Sequence, residues 1–253
     1  MIPIRPSLFV VLILMATYLP ATSPPVAVQA FLENFVNVPL SGFNVISGHL
    51  SGSAQNISTI YQRNRAALIF PASQVLAVIV RFQIAGPTAV IATDVDGVVR
   101  QGVTIWMNYQ DPCNQYFLAW RADSSKPAGT SVLGAQRVLN PGASQLSQCP
   151  GTGFTPLTQP DGSNAFRTLN IDVMDGQPHE LKIVRTTEMP GTAFRLFTDG
   201  TLQMQASDLN NTFPDIGLYG LRTDNVIVTL TYVLELPPAQ ASAYCANPGA
   251  CFP

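Results

Sequence analysis

Apolar residues along most of the chain alternate with polar ones or form short β-branched runs. From Phe31 onward, Gly, Pro, Asn or Asp interrupts these runs about every ten residues. This spacing is typical of antiparallel sandwiches, whose short strands are joined by tight turns. No window longer than about ten residues repeats apolar positions at helical spacing behind a capping signal. We therefore predict an all-β chain with little helix.

The pattern predicts strands and turns at specific places. The predicted strands are Ala66–Phe70, Val75–Ile84, Gly102–Tyr109, Gln115–Arg121, Phe166–Val173, Glu180–Thr186, Thr192–Thr198, Ile216–Leu221 and Val226–Leu234. Because glycine adopts positive φ at little steric cost, tight turns are predicted at four dipeptides. These are Asp96-Gly97, Asp175-Gly176, Pro190-Gly191 and Asp199-Gly200.

One long segment departs from this rhythm. Between Asp123 and Ala165 the chain is rich in Ser, Pro, Gly and Gln and has few aliphatic residues. Long loops in compact domains are either functional or tolerated insertions. The pattern predicts a long loop here, with one short strand at most.

The charge content narrows the class of protein. The chain has 253 residues with 15 acidic and 13 basic side chains, and charged residues make up only 11% of it, against 47% hydrophobic ones. A disordered chain has more charge and less apolar content, and a nucleic-acid-binding protein usually has a basic excess that a net charge of -2 lacks. A single large sandwich with a sizeable core fits this length.

The first residues resemble an export signal. Arg5 precedes an unbroken apolar run from Leu8 to Leu19, which is shorter than the roughly 20 residues that span a hydrocarbon core. Small residues follow, and cleavage is expected after Ala30. We predict a signal peptide at 1–30, a β-sandwich domain at 31–236 and a short tail at 237–253, with an uncleaved membrane anchor as the alternative. After cleavage no stable membrane span is expected.

Four cysteines follow the predicted cleavage site, and an exported chain meets an oxidising compartment where an even count usually forms disulfides. We predict two bridges, Cys113 with Cys149, which ties the long loop to the sheet, and Cys245 with Cys251, which closes the tail. The cysteine spacing does not fit a zinc site. No metal and no cofactor are predicted.

Four segments near the C-terminus form a recognisable series, namely His179–Ile183, Phe194–Gly200, Asp215–Leu221 and Asn225–Val228. They resemble the C-terminal half of the concanavalin A-like lectin/glucanase superfamily, and a looser likeness extends over most of Phe31 to Leu236. The resemblance implies a two-sheet antiparallel jelly-roll sandwich, here with one long disulfide-tied loop. It also implies a concave face that binds glycans in many relatives.

The glucanase motif of that superfamily is not preserved. Glucanases carry three acids on alternate positions of one strand, whereas this chain reads Asn170-Ile171-Asp172-Val173-Met174-Asp175. Asn170 stands at the position of the nucleophile and cannot form a glycosyl ester. The alternative interpretation is a strand that ends in an Asp-Gly turn.

Other catalytic or metal-binding patterns are also incomplete. The Tyr-rich final strand of alginate lyases is missing, since Tyr232 stands alone there, and His49 and His179 are interpreted as turn or solvent positions. Asp94-Val95-Asp96-Gly97 has part of a calcium loop, but a plain hairpin turn fits it better. No catalytic residue is predicted, and the residues favour a protein without enzymatic activity while leaving an enzyme open as the alternative.

A binding surface is predicted on the Gly102 strand. Val103, Ile105 and Met107 share one face, which is expected to be the core face, while Thr104, Trp106 and Asn108 share the other, which is expected to be solvated. A tryptophan beside an amide and a hydroxyl suits a sugar, because its ring stacks on C–H faces and its neighbours bond the hydroxyls. The alternative is that the long loop covers Trp106.

The Gln115 strand is expected to pair antiparallel with the Gly102 strand through the short connection at Pro112. Its two faces are both largely apolar, with Tyr116, Leu118 and Trp120 against Phe117, Ala119 and Arg121. We predict Arg121 on the open face, as a fourth ligand-binding residue, and Trp120 partly in the core.

These observations predict a secreted or cell-surface carbohydrate-binding or adhesion module. Its expected partner is a glycan or cell-surface polysaccharide, and no nucleic acid. One alternative is a divergent glycoside hydrolase or polysaccharide lyase of the same fold. A second is a non-catalytic structural envelope or matrix protein.

Overall fold

The computed structural model describes residues 36–37, 44–47, 49–51, 56–58, 65–69, 76–88, 91, 93–94, 96–111, 113–139, 154–186, 191–213 and 218–236. In the first five of these ranges only the backbone is described. The predicted signal peptide and tail lie outside the described residues, as do three of the four cysteines.

The described residues form sixteen β-strands and no helix. In chain order they are β1 Val36–Asn37, β2 Asn44–Ser47, β3 His49–Ser51, β4 Asn56–Ser58, β5 Arg65–Ile69, β6 Ala77–Pro87, β7 Arg100–Asp111, β8 Asn114–Asp123, β9 Ser131–Leu139, β10 Phe154–Pro156, β11 Phe166–Leu169, β12 Pro178–Thr186, β13 Thr192–Thr198, β14 Thr201–Asp208, β15 Leu218–Asp224 and β16 Val226–Leu236. Within the described ranges, no helix is long and apolar enough to cross a membrane.

The strands form two antiparallel sheets of eight strands each. Sheet A has the order β14-β13-β12-β6-β16-β4-β3, with β1 also paired to β16. Sheet B has the order β10-β9-β8-β7-β15-β5-β2, with β11 also paired to β9. The predicted all-β sandwich of two antiparallel sheets is confirmed.

The main core fills the space between the sheets. In β7, Val103, Ile105 and Met107 are at most 1% exposed and contribute to this core, as the alternation predicted. The facing positions of sheet A include Val78, Val80 and Phe82 of β6, whose side chains are inaccessible to solvent. Sandwich packing follows because each strand aims every second side chain toward the opposite sheet.

The β13–β14 turn and the pairing of β7 with β8 agree with the sequence predictions. Asp199 and Gly200 have φ of 48° and 78° and join β13 to β14, which is the geometry that closes a two-residue hairpin. The strand that follows this turn, β14, is not among those predicted. The expected antiparallel pairing of β7 with β8 is confirmed from Arg100 opposite Asp123 to Asp111 opposite Asn114.

The prediction of a long loop between Asp123 and Ala165 is wrong where β9 and β10 form, and residues 140–153 lie outside the described residues. This segment supplies the nine-residue strand β9, which pairs with β8 from Asn114 opposite Leu139 to Arg121 opposite Val132. Glycine inside a strand weakens the sequence signal, and Gly134 lies in the middle of β9. A Cβ at Gly134 would lie 2.9 Å from the Phe166 ring, so close packing explains the glycine.

Cys113 lies in the connection between β7 and β8 and is fully buried. Because Cys149, Cys245 and Cys251 are outside the described residues, their pairing, and the tie between Cys113 and Cys149, stay predictions.

Candidate functional site

The outward face of sheet B, the one directed away from sheet A, carries a cavity of about 770 Å³. This volume is in the range of small-molecule binding sites. Its lining comes from β7, β8, β9, β10, β11, β15 and the turns before β7 and after β8. The charged lining residues are Asp94, Asp96, Arg100, Arg121, Asp123, Lys126, Arg167 and Arg222, and the aromatic ones are Phe117, Phe154 and Phe166.

Strand register explains how these residues meet. Opposed residues of antiparallel strands point to the same face, so one row across the sheet contains Arg222, Thr104, Ala119 and Gly134. Small side chains occupy the middle of that row. Phe166, which pairs with Gly134, lies at its far end and is 41% exposed. The row is therefore a buried floor between the Arg222 guanidinium and the Phe166 ring, the two members of the row that line the cavity.

Gly102 allows two strands to approach closely beside this floor. A Cβ at this position would lie 2.4 Å from the carbonyl oxygen of Trp120 and 3.1 Å from Cγ of Arg121. The second distance shows that the Arg121 stem lies over Gly102. The glycine thus creates the space in which Arg121 lies against the sheet.

The predicted platform residue Trp106 is on the outward face, but the expectation that this face is solvated at Trp106 is wrong. Trp106 is completely buried. Its ring stacks on Tyr109, with centroids 5.3 Å apart and planes 12° apart, and it belongs to an outer cluster with Phe117, Ala119 and Val138. Large aromatics gain most by losing contact with water, so a second apolar layer forms here.

Thr104 shares the outward face with Trp106 and is likewise fully buried. Within the part of the chain that the structure describes, the Thr104 hydroxyl and the Trp106 indole N–H each have no hydrogen-bond partner. Leaving a buried polar group unpaired usually costs about 1 to 3 kcal/mol. Neither residue lines the cavity surface, so direct ligand contact by either one stays a prediction.

The expectation that Asn108 shares a face with Trp106 is wrong as well. Asn108 has a φ of 52° and lies where the β7–β8 register shifts. Its side chain is buried and donates a 2.7 Å hydrogen bond to the backbone carbonyl of Phe213. A bulge breaks the alternation of a strand, and asparagine tolerates the left-handed conformation that it requires.

Arg121 is positioned as predicted. It lines the cavity, and its side chain is 13% exposed. Trp120 points the opposite way and is completely buried between the sheets, where its indole N–H donates to Ser131 at 2.7 Å. The ambiguity of the two apolar faces is resolved because both faces of β8 are covered.

A second arginine, Arg222, completes the arrangement around Arg121. The two guanidinium carbons lie 5.2 Å (Arg121) and 5.1 Å (Arg222) from the centroid of the Phe117 ring. Both arginines also pair with Asp224, at 3.7 Å from Arg121 and 2.5 Å from Arg222. Cation–π attraction and a shared carboxylate therefore hold two positive charges beside one ring.

Sequence reasoning missed Phe117, Phe154, Phe166 and Arg222 as cavity residues. Phe166 opens a four-residue strand whose two middle residues are polar, and Arg222 directly follows the segment Asp215–Leu221 that carried the resemblance. An arginine inside an otherwise apolar strand is rarely buried without a partner, which is the signal that could have identified Arg222.

The acidic residues at one end of the cavity surround Arg100. Its guanidinium contacts Asp94 at 2.8 Å, Asp96 at 2.6 Å and Asp123 at 3.5 Å. The hydrogen bond from Arg100 holds the pKa of Asp96 below its ordinary value. The turn at Asp96-Gly97 is present as predicted, with an Asp96 side-chain oxygen accepting from the Val98 N–H. Among the described residues, no group of three His, Cys, Asp or Glu is arranged to hold a metal.

The segment that resembles the glucanase motif is not a strand. β11 ends at Leu169, and the following carboxylates accept local backbone N–H bonds, Asp172 from Met174 at 2.9 Å and Asp175 from Gln177 at 2.7 Å. The predicted continuation of this strand to Val173 is therefore wrong. Leu169 and Val173 both pack in the core, which gives this segment the alternating pattern of a strand. Only Leu169 lies in a strand. The Asp175-Gly176 turn itself is confirmed, with Gly176 at a φ of 74°.

The interpretation of His179 as a solvent or turn position is wrong, since it is the second residue of β12 and is only 6% exposed. Its ring nitrogens lie 3.0 Å from Asp199 and 3.1 Å from Asp175, and its ring packs 5.1 Å from that of Trp120. The hydrogen bonds and charges of Asp199 and Asp175 raise the pKa of His179 above 6.5, against the opposing effect of burial. The residue joins the end of the Asp175 turn to the β13–β14 turn.

Replacing His179 by glutamine is expected to remove a specific pH dependence of stability. Because the folded pKa is raised, the stabilisation is complete below about pH 6.5 and is lost as pH rises through the folded pKa. Urea unfolding from about pH 5.5 to 8 should show the free-energy difference between wild type and H179Q shrinking as pH rises.

Comparing wild type with H179Q also cancels the pH dependence of stability that Lys182 contributes to both proteins. Burial lowers the pKa of Lys182 to about 8, which makes stability rise at higher pH in both proteins alike. A wild-type minus H179Q difference that stays constant over the whole range would contradict the role assigned to the two carboxylates.

Comparisons with known proteins identify the fold. No protein-family model and no curated protein matches the sequence. The solved structures that match include a single-residue mutant of the Emp46p carbohydrate recognition domain, with a TM-score of 0.51 and 8% identity over 78% of this chain and 94% of that one. Apo Crh5 transglycosylase also matches, with a TM-score of 0.51 and 12% identity over 82% of this chain and 86% of that one. The chain has the concanavalin A-like jelly-roll fold, as the resemblance implied.

Proposed function

We propose that the protein is a secreted or cell-surface carbohydrate-binding or adhesion module, and that its glycan binds in the cavity of sheet B. The observation that carries this proposal is the lining of the cavity, which combines aromatic rings with amide, hydroxyl and charged groups. The fold adds support, because a carbohydrate recognition domain shares it. Fold alone does not determine function, so the argument depends on the site.

Phe166 replaces Trp106 as the proposed sugar platform. It is the most exposed of the three cavity rings, at 41%. Along β11 it is followed by Arg167 and Thr168, which are also exposed to solvent. A sugar ring stacks its C–H face on an aromatic ring while its hydroxyls bond to nearby polar groups. Thr168 and Gln136 supply such groups at the cavity wall.

The acidic residues of the cavity favour binding over hydrolysis. Retaining and inverting glycosidases need one carboxyl group with a raised pKa that can donate a proton. Asp94, Asp96 and Asp123 all contact the Arg100 guanidinium, and that contact lowers the pKa of Asp96. An ion-paired carboxylate keeps its negative charge and makes a poor general acid.

Replacing Phe166 by alanine is expected to weaken glycan binding about tenfold while leaving the fold intact. One aromatic stacking contact is worth about 1 kcal/mol or somewhat more, and removing an exposed ring disturbs little of the core. The measurement is a glycan array followed by titration of each hit with wild type and F166A. Leu202→Ala is the matched control, since Leu202 is 38% exposed on β14, at the edge of sheet A.

Each result of this experiment has a definite meaning. Equal binding by wild type and F166A would remove Phe166 from the site, and no binding of any glycan by wild type would favour a structural envelope or matrix protein. Release of sugar from the bound glycans would instead promote the divergent hydrolase or lyase.

A further inference from the structure

The cavity concentrates positive charge in a chain that has little of it. Five of the 13 basic side chains line this one cavity, with three carboxylates, although the chain as a whole carries a net charge of -2. Arg100 is surrounded by those three carboxylates. The other four cations, Arg121, Lys126, Arg167 and Arg222, lie along the rest of the lining.

Two of these four cations are held in fixed positions. Arg121 and Arg222 flank the Phe117 ring and share the single buried carboxylate of Asp224. Two guanidinium groups therefore meet on one carboxylate at the cavity wall. Because the ring and the carboxylate already order both side chains, a ligand would meet them without a large ordering cost.

The other two cations are exposed to solvent. Lys126 and Arg167 form no ion pair among the described residues, and a guanidinium N–H of Arg167 donates to the backbone carbonyl of Gln203. Arg167 follows Phe166 on β11 and also lines the cavity, so its positive charge adds to that of the cavity wall. A cavity wall with this charge attracts anions, and planar guanidinium groups suit carboxylate and sulfate groups.

We infer that the cavity binds an acidic glycan, one whose sugar units carry carboxylate or sulfate groups. This inference rests on the proposed glycan binding in the same cavity. The sugar ring stacks on Phe166, and its anionic group faces the arginines of β8, β11 and β15. The three carboxylates at Arg100 lie at the other end and keep the acidic groups in one orientation, because like charges repel.

The test uses pairs of oligosaccharides that differ only in charge. Tetragalacturonate is compared with its methyl ester, and a sulfated galactan tetrasaccharide with its desulfated form, by calorimetric titration of the full chain. We expect at least tenfold tighter binding of one acidic member than of its less charged partner. The pair that shows the preference distinguishes a carboxylate from a sulfate ligand.

Charge variants assign the preference to the cavity. Arg167→Gln is expected to weaken binding of the acidic member about threefold to fivefold and to leave binding of its partner unchanged, as for a partly exposed ion pair. Arg195→Gln, which removes one positive charge from β13 of sheet A, is the matched control and should change neither. Raising the salt from about 0.1 to 1 M should weaken only the acidic member, because the screening length falls from about 10 to 3 Å.

Failure of this inference differs from failure of the proposed function. Equal binding within both pairs, or binding of neutral glycans alone, would overturn the acidic specificity and leave glycan binding in place. No binding of these probes or of any glycan on the array would overturn both. A preference for the acidic members that R167Q and R195Q weaken alike would also overturn the inference, because the charge recognised would not be that of the cavity.

Discussion

Replacing Trp120 by alanine is expected to destabilise the protein by about 3 to 5 kcal/mol, the usual cost of deleting a large aromatic side chain from a core. Trp120 is completely buried between the sheets, and its ring contacts the rings of Phe82 and His179 edge-on at 5.9 and 5.1 Å. Its loss would leave a cavity at the centre of the sandwich. The measurement is the free energy of unfolding from urea titration, monitored by circular dichroism.

Two milder variants separate packing from hydrogen bonding at this position. Ser131→Ala removes only the acceptor of the Trp120 indole N–H and should cost about 1 kcal/mol. Trp120→Phe keeps a ring and should fall between the two. A W120A variant no less stable than L202A, which removes a surface side chain, would show that the space between the sheets is not packed as described.

Replacing Asp208 by alanine is expected to cost about 3 kcal/mol, because one buried carboxylate serves several donors. It accepts hydrogen bonds from the Tyr116 hydroxyl at 2.9 Å and the Thr212 N–H at 2.8 Å, and it pairs with Arg137 at 3.3 Å. Burial acts to raise the pKa of Asp208, yet the hydrogen bonds from Thr212 and Tyr116 hold it below its ordinary value. The carboxylate therefore joins the end of β14 to β8 and β9 of the other sheet.

A double-mutant cycle with Tyr116→Phe measures how much of this loss passes through the tyrosine. Coupling of about 1 kcal/mol between the two changes is expected. Asp161→Ala is the control, since this fully exposed aspartate bonds only the neighbouring Ser163. Equal effects of D208A and D161A on unfolding would contradict the assigned role.

Local patterns predicted much of the fold. The alternation in β7 predicted which side chains face the core, because the direction of successive side chains is a property of the strand itself. The Asp199-Gly200 dipeptide predicted the hairpin turn, because the backbone conformation of a tight turn also depends on its own residues. The strand from Thr192 to Thr198 has the predicted bounds.

Strands whose sequences are shaped by distant contacts were harder to predict. Gly134 weakens the sequence pattern that predicts a strand at β9. A glycine is required there because the Phe166 ring, from another strand, packs against it. The segment after Leu169 alternates like a strand but turns, since Val173 reaches the core from a turn. In both cases a long-range contact overrides the local preference.

The candidate site was predicted only in part. Arg121 was placed on the correct face, while Trp106, which was expected to be exposed, lies under a second apolar layer that Tyr109, Phe154 and Leu218 complete from three strands. Sequence spacing gives no information on whether an outward-facing side chain is covered. The cavity residues Phe166 and Arg222 join the site only because β11 and β15 are brought to β9 and β7.

The sequence by itself determined the strand class, the turns and the sides on which the side chains of β7 point as far as Met107, because these follow from short-range sterics and from periodicity. The tertiary structure alone decided which outward positions are open to solvent and which charges meet. Arg121 and Arg222 lie about a hundred positions apart in the chain, and only the pairing of β8 and β15 with β7 brings both to one ring. Exposure and charge clustering depend on every neighbouring strand, so no local pattern contains them.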